Sequence, residues 1–538
     1  MEKSEIKAGA ERARSPSLDV GESIVPEEHH VVRGLKPRHT QMIAIGGCIG
    51  TGLFVSSGQV LARSGPLFLL LGYCIVDFFI WLIVTAITEL GTYLPVRGAS
   101  INYYAGRFVS PSFGFAVGWL YWYSWAIIVP TEITAAGLII DYWTNDVNIA
   151  VWITIMIIVI LLLNVLPVHF YGETEFWFVS IKVLTLIGLL SFSFILFCGG
   201  VSGQEHRGFH YWNDPGFINE YLVPGPGGQV AAFAAGLIGA VMPVVLSPEM
   251  LIVTAGEMQN PRTNLPSAAA KFVWRILFFY IGGVLAIGVI CPSNAPGLTS
   301  GASNANASPW VIALKIAGVK GLDSVVNAAI LTSAWSAGNA LLYLSSRSLY
   351  SLALAGNAPK IFTRCTKRGL PWAAVMASAL FMPLSYLNCS SNGSAVFNWF
   401  VNLTNTSGFI AWVCCSIIFL RFRKAVKVQS MESDVTYRHW TQPWGAYACI
   451  AFFTFLCLIN GFQVFIADNF NASDFLTAYV GLPIFLAIYF GHRVFHWNQP
   501  WAIASSQVDL VSDVQEIIEQ EQPVKKISNW RDRVKSWI

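Results

Sequence analysis

Met42-Ile43-Ala44-Ile45-Gly46-Gly47-Cys48-Ile49-Gly50-Thr51-Gly52-Leu53-Phe54 lies in an apolar stretch long enough to cross a bilayer, yet glycine interrupts it near its middle. The same pattern recurs at Gly239-Ala240-Val241-Met242-Pro243-Val244-Val245-Leu246-Ser247-Pro248-Glu249, where proline does the interrupting. A helix broken at membrane depth exposes backbone N–H and C=O groups, each costing several kcal/mol in hydrocarbon unless it lines a cavity. Two such breaks in corresponding halves of a chain predict a transport pathway with its binding site between them.

Composition agrees. Hydrophobic residues make up 54% of the 538, charged residues only 12%, and the mean hydropathy is +0.55. Soluble domains carry about 25% charge, so the lipid bilayer is the solvent for most of this chain. The first thirty residues are polar and mixed in charge, with no apolar core of a cleavable signal. The first broken span is therefore expected to direct the chain to the membrane. Ten cysteines are scattered without CxxC or Cys/His metal spacing, and no cofactor motif is present. A net charge of +3 is too weak and dispersed for nucleic acid.

At about 20 residues per crossing, spans are predicted near 40–62, 67–93, 112–140, 149–167, 175–199, 231–256, 272–291, 322–355, 372–388, 395–421, 444–466 and 474–492. The expected fold is an all-α polytopic membrane protein of 12 transmembrane helices. Two five-span repeats of inverted topology place the broken spans 1 and 6 at equivalent positions, with two spans added. The domain plan is a 1–39 amino-terminal tail, a 40–492 membrane domain and a 493–538 carboxy-terminal tail, the last with a short helix expected over 511–521.

Lys and Arg set the orientation. With both tails cytoplasmic, the inner loops hold Arg97 and Arg107, then Arg262, Lys271 and Arg275, then Lys360, Arg364, Lys367 and Arg368, then Arg421, Arg423, Lys424, Lys427 and Arg438. The outer loops hold only Arg63, Arg207, Lys315 and Lys320. Sequons at Asn388, Asn392 and Asn471 fall outside on the same scheme.

The run over residues 46–54, Glu89-Leu90 with Leu94-Pro95-Val96-Arg97-Gly98, Ser180-Ile181-Lys182-Val183, and Ala255-Gly256-Glu257 with Asn260-Pro261-Arg262 follow one another in a telling order. They continue through Thr332-Ser333-Ala334-Trp335-Ser336-Ala337-Gly338-Asn339, Ser346-Arg347-Ser348-Leu349, Gly356-Asn357-Ala358-Pro359-Lys360, Phe397-Asn398-Trp399-Phe400 and Leu420-Arg421-Phe422-Arg423-Lys424-Ala425. Together these resemble the fungal amino-acid permeases of the amino acid–polyamine–organocation superfamily, from about residue 34 to 493. Ser247-Pro248-Glu249, Ser333-Ala334-Trp335-Ser336-Ala337 and Gln442-Pro443-Trp444 are most similar to the proline permeases. The resemblance implies a LeuT-like core and a plasma-membrane amino-acid:proton symporter that imports proline and other small neutral amino acids. A broad-specificity or other-substrate permease of the same family is the alternative, and an amino-acid sensor on that fold a further one. One departure is Met242-Pro243-Val244-Val245, where many members place Phe before the second break.

A zwitterionic substrate needs positive and negative partial charge side by side. The half-helix starting near Gly50-Thr51-Gly52 offers free N–H groups and a positive dipole end to a carboxylate. Glycine admits the substrate to the backbone, and the Thr51 hydroxyl adds a donor. Carbonyls around Gly47-Cys48 and Val245-Leu246 face the substrate nitrogen. The expected substrate-binding residues are thus Cys48, Gly50, Thr51, Gly52, Leu246, Ser247 and Glu132. Close helix packing is the competing reading of the glycines.

Glu132 is a carboxylate within span 3, a functional candidate by position, which the resemblance places near the substrate path; a structural hydrogen bond is the other reading. Ser247-Pro248-Glu249 has the chemistry of a helix start. The resemblance adds pH-dependent gating at Glu249. Lys182 either snorkels or, as in proton-coupled relatives, takes the place that sodium-coupled members give to Na⁺. Asp77 in span 2 is expected to find a local polar partner or a wet crevice, and Glu89 and Glu257 to cap helices or pair with loop arginines. An intramembrane enzyme is disfavoured, because the nine histidines lie in tails, loops or span edges and GxSxG and HExxH patterns are missing. Lys3 and Lys7, in a polar amino-terminal tail, are candidate acceptors for ubiquitin-ligase and trafficking partners.

Overall fold

The computed structural model describes residues 50–512 and 514, apart from 96–99, 141, 144–145, 167, 201–207, 256–257, 259, 300–307, 320, 367–368, 390–392 and 467–468. Cys48 and the first half of span 1, Glu257, Asn392 and the lysines Lys3 and Lys7 lie outside the described residues, as does most of the helix expected over 511–521.

Long apolar runs must satisfy their backbone internally in hydrocarbon, and helices do so. All twelve expected spans have helical counterparts among the described residues. The second half of span 1 and all of span 2 occupy Gly52–Tyr93, and Gly65, at φ +75° before Pro66, turns the chain between them. Spans 3 to 5 are Pro111–Ile140, Ile149–Val165 and Val168–Phe197. Span 6 runs through Pro226–Gly239 and Met242–Val244, breaks, and resumes at Met250–Ala255. Spans 7 to 10 are Pro261–Ile290, Leu322–Leu354, Trp372–Cys389 and Gly393–Val428. Span 11 is Trp444–Ile459, and span 12 pairs Ala472–Tyr479 with Gly481–Phe495 at a 45° bend.

Span 3 is the buried axis, packed chiefly against spans 8 and 10. Span 2 crosses the first half of span 6 backbone to backbone. A methyl group at Gly72 would sit 2.6 Å from the Gly236 carbonyl oxygen, so only glycine permits this crossing. Span 5 turns Trp177, Leu184 and Phe194 outward to lipid while Glu175 and Lys182 point inward. This polarity is what a bilayer demands of a helix carrying charge.

Glu89 pairs with Arg423 at the end of span 10, through a contact of 2.9 Å from Nη2. Part of the stretch expected as a free tail is docked there. Val508 and Leu510 are buried, the Tyr93 hydroxyl donates to the Leu510 carbonyl at 3.0 Å, and Gln429 donates to the carbonyls of Ser505 and Val508. Arg107, on the short helix Ile101–Phe108 after span 2, donates to the Asp509 and Ser512 carbonyls and pairs with the Asp509 carboxylate at 3.2 Å. Apolar burial and carbonyl acceptors, both invisible in a polar-looking sequence, hold this segment down.

Candidate substrate and coupling site

At the start of the described part of span 1 the chain forms a π-turn, Gly52–Ser56, of the kind that recurs at functional sites. The Thr51 hydroxyl, fully buried, donates to Glu132 Oε2 at 3.0 Å. A methyl on Gly50 would lie 2.9 Å from Glu132 Oε1, so both carboxylate oxygens face the break. The Thr51 donor is therefore engaged by Glu132 in this conformation. Gly52 instead faces the other broken span, where an added methyl would meet Pro243 Cα at 2.8 Å and Met242 Sδ at 2.9 Å. Its missing side chain lets the two broken spans touch.

In span 6 a 3-10 turn over Met242–Val244 precedes Leu246, which is fully buried and held at φ +57°. A left-handed leucine costs of the order of 1–3 kcal/mol and persists only where surroundings impose it. The Ser247 N–H and hydroxyl both donate to the Val244 carbonyl, at 3.1 and 2.7 Å. The hydroxyl thus closes the turn behind it, whereas residue type predicted a cap on the helix ahead. The Pro243 carbonyl accepts from the Tyr280 hydroxyl at 2.9 Å.

Glu249 begins the second half of span 6. Its Oε1 accepts from the Tyr121 hydroxyl at 3.0 Å, with the Cys415 sulfur 4.0 Å away and the Trp412 indole alongside. Lys182 is 1% exposed, so it does not snorkel, and its ammonium attracts both Glu132 and Glu175. Glu175 was not singled out in the sequence. It is fully buried, accepts from the Ser336 hydroxyl at 2.9 Å, and leaves its Oε2 without a hydrogen bond. Its spacing seven residues before Lys182, two helical turns on one face, is the signal that would have found it.

Gly50 and Thr51 of span 1 thus meet Glu132 of span 3, Glu175 of span 5 meets Ser336 of span 8, and the buried Lys182 has both carboxylates within its electrostatic reach. Gly52, Leu246 and Ser247 belong to the contact between the broken spans. Glu249 stands apart, since Tyr121 and Glu132 are separated by about 16 Å along span 3. Ser56, Arg63, Asn402, Asn405 and Asn460 line a separate cavity of about 60 Å³, enough for a few waters and no amino acid.

Residues 39–502 match the family described as Amino acid permease. A proline-specific permease of Emericella nidulans is 45% identical over 98% of this chain and 98% of its own length. One of the same name in Saccharomyces cerevisiae is 40% identical over 96% of this chain and 83% of its own length. A manganese transporter of Eremococcus coleocola, a mutant crystal structure, aligns at 14% identity with a TM-score of 0.53, covering 91% of this chain and 99% of that one; the likeness is one of fold. With its many long apolar helices and its match over nearly the whole membrane domain, the chain belongs to the amino acid permease family, as a multi-pass membrane transporter and not an enzyme.

Proposed function

We propose that this chain imports proline, with other small neutral amino acids as weaker substrates, across the plasma membrane in symport with protons, both termini being cytoplasmic. The Thr51–Glu132 contact carries the reading, because one carboxylate there links the span 1 break to the electrostatic reach of Lys182. Glu132 occupies the positive helix start that a substrate carboxylate would seek. Protonation of Glu132, or its swing toward Lys182, frees the Thr51 hydroxyl and the Gly50 approach for substrate. Lys182 then releases its proton inward, with Glu175 on the same helix face, and Glu249 gates the inner half of span 6 through its bond to Tyr121. Proline suits a site short of acceptors: its ammonium has two N–H donors, and the Val244 carbonyl already accepts twice. The names of the two relatives support the same substrate. One net charge moving inward gains about 2.3 kcal/mol per 100 mV, roughly fifty-fold in accumulation. Ligases acting on Lys3 and Lys7 would set residence at the cell surface.

The deciding experiment is counterflow in proteoliposomes loaded with unlabelled proline, with radiolabelled proline outside and a panel of unlabelled competitors. Transient label accumulation, enhanced by an inward proton gradient and competed by alanine and glycine more weakly than by proline, is expected. Strong competition by arginine would reassign the substrate to a cationic or broad class, and absence of counterflow would favour a sensor.

A further inference from the structure

Spans 2 and 7 bound a groove of about 430 Å³ that reaches Tyr437 and His439 in the loop after span 10. Its walls include Phe78, Trp81 and Trp274, and among the described residues no lysine or arginine lines it. Phe78 and Trp274 are 51% and 73% exposed, so the mouth opens to hydrocarbon. Asp77 lines the groove, is 2% exposed, and has no hydrogen-bond partner on either carboxylate oxygen. Among the described buried acids it is the exception: Glu89 has Arg423, Glu132 has Thr51, Glu175 has Ser336 and Glu249 has Tyr121. Nearby polar groups are committed elsewhere or fail to reach it. Thr85 and Thr88 donate to the carbonyls of Leu82 and Val84, His439 bonds Thr441, and the Tyr73 hydroxyl is itself without a partner.

An ionised carboxylate in an apolar setting is stable only when paired. The lining supplies one buried carboxylate and aromatic faces. A divalent metal ion would need several oxygen ligands, and a neutral hydroxyl would bring no charge to pair with the carboxylate. An ammonium group answers both features, pairing with Asp77 while its charge and apolar body lie against indole and phenyl rings. We infer that the groove binds a compact apolar amine that enters from the membrane, its ammonium on Asp77 and its apolar part between Trp81 and Trp274. The site is separate from the Thr51–Glu132 cluster and does not depend on proton symport.

The test uses the full chain in phosphatidylcholine nanodiscs and a matched pair of probes, radiolabelled 1-adamantylmethylamine and 1-adamantylmethanol, with partitioning into empty nanodiscs subtracted. The amine should bind saturably at neutral pH and the alcohol should not. Asp77→Asn, nearly isosteric, should weaken amine binding by about tenfold or more, the factor for loss of a charged hydrogen bond. Ala270→Trp, placed on an exposed position of the groove wall, should block binding by filling the space, and carries the test if the asparagine variant elutes aggregated. Equal binding of amine and alcohol, or unchanged amine affinity in folded Asp77→Asn or Ala270→Trp protein, would overturn the inference.

Discussion

Replacing Thr51 by Val isolates the contact on which the proposed mechanism turns. Valine keeps the branched shape in a fully buried position but removes the hydroxyl that donates to Glu132 Oε2 at 3.0 Å. On the proposed mechanism the freed hydroxyl donates to the substrate carboxylate during uptake, and a hydrogen bond to a charged group contributes about 1.5–3 kcal/mol, which is about ten- to 150-fold in an equilibrium or rate ratio. Proline uptake efficiency, Vmax/KM, should fall by that factor with surface density unchanged. Thr51→Ser keeps the donor and loses one methyl, about 0.8 kcal/mol, so it should remain within about fourfold of the original protein. The assay is initial-rate uptake of radiolabelled proline in cells, normalised to surface protein by biotinylation. Valine transporting within about threefold of wild type, or serine failing as badly as valine, would refute a substrate-binding role for the Thr51 hydroxyl; the second outcome would make the methyl contact the important one.

Three other substitutions probe the remaining parts. Lys182→Met and Lys182→Arg should both abolish concentrative proline uptake and leave any residual exchange independent of external pH between about 5 and 8, since neither side chain releases and regains a proton there; accumulation with unchanged pH dependence in either would remove Lys182 from coupling. Gly52→Ala drives a methyl against the Pro243 backbone, an overpacking cost of about 1–3 kcal/mol, and should lower both melting temperature and uptake, whereas Gly50→Ala meets only the movable tip of Glu132 and should keep its melting temperature while changing KM. Identical behaviour of the two alanines in thermal-shift and uptake assays would count against the packing distinction. Burial opposes ionisation of Asp509, but hydrogen bonds from Ser512 and the Arg107 charge outweigh it and hold the carboxyl below its usual range. Its hold on the docked segment is then complete above the free-aspartate pKa of about 3.9 and is lost as pH falls through the lower docked value. Pulsed hydrogen exchange should find residues 508–512 protected at neutral pH and loosened in acid, and loosened at neutral pH by Arg107→Ala; equal protection in that variant would disprove the anchoring role.

How far the sequence could be read varied with the kind of feature. The spans were legible because each must be continuously apolar over about 20 residues, and the second break was legible because Pro243 and Pro248 bracket it. Lys182 and Glu132 stood out because charge within hydrocarbon is rare. Glu175 did not, because it lies near the predicted start of its span, where an acid looks like ordinary interfacial polarity. Ser247 looked like a cap for the helix ahead, and its hydroxyl turned back to Val244 because the left-handed Leu246 reverses the chain there.

By itself the sequence determined the membrane class, the count and order of spans, their orientation preference and the residues able to carry charge inside, all consequences of local transfer free energy. Only the tertiary structure decided which of those residues meet. That Thr51 spends its hydroxyl on Glu132, that Gly52 seats Pro243, that Asp77 alone among the described buried acids goes unpaired, and that residues 503–512 dock beside the ends of spans 2 and 10 depend on contacts between segments distant in the chain. Hydrophobicity is additive along a chain and can be summed from residues, whereas pairing needs two groups brought within about 3 Å, and packing sets that distance.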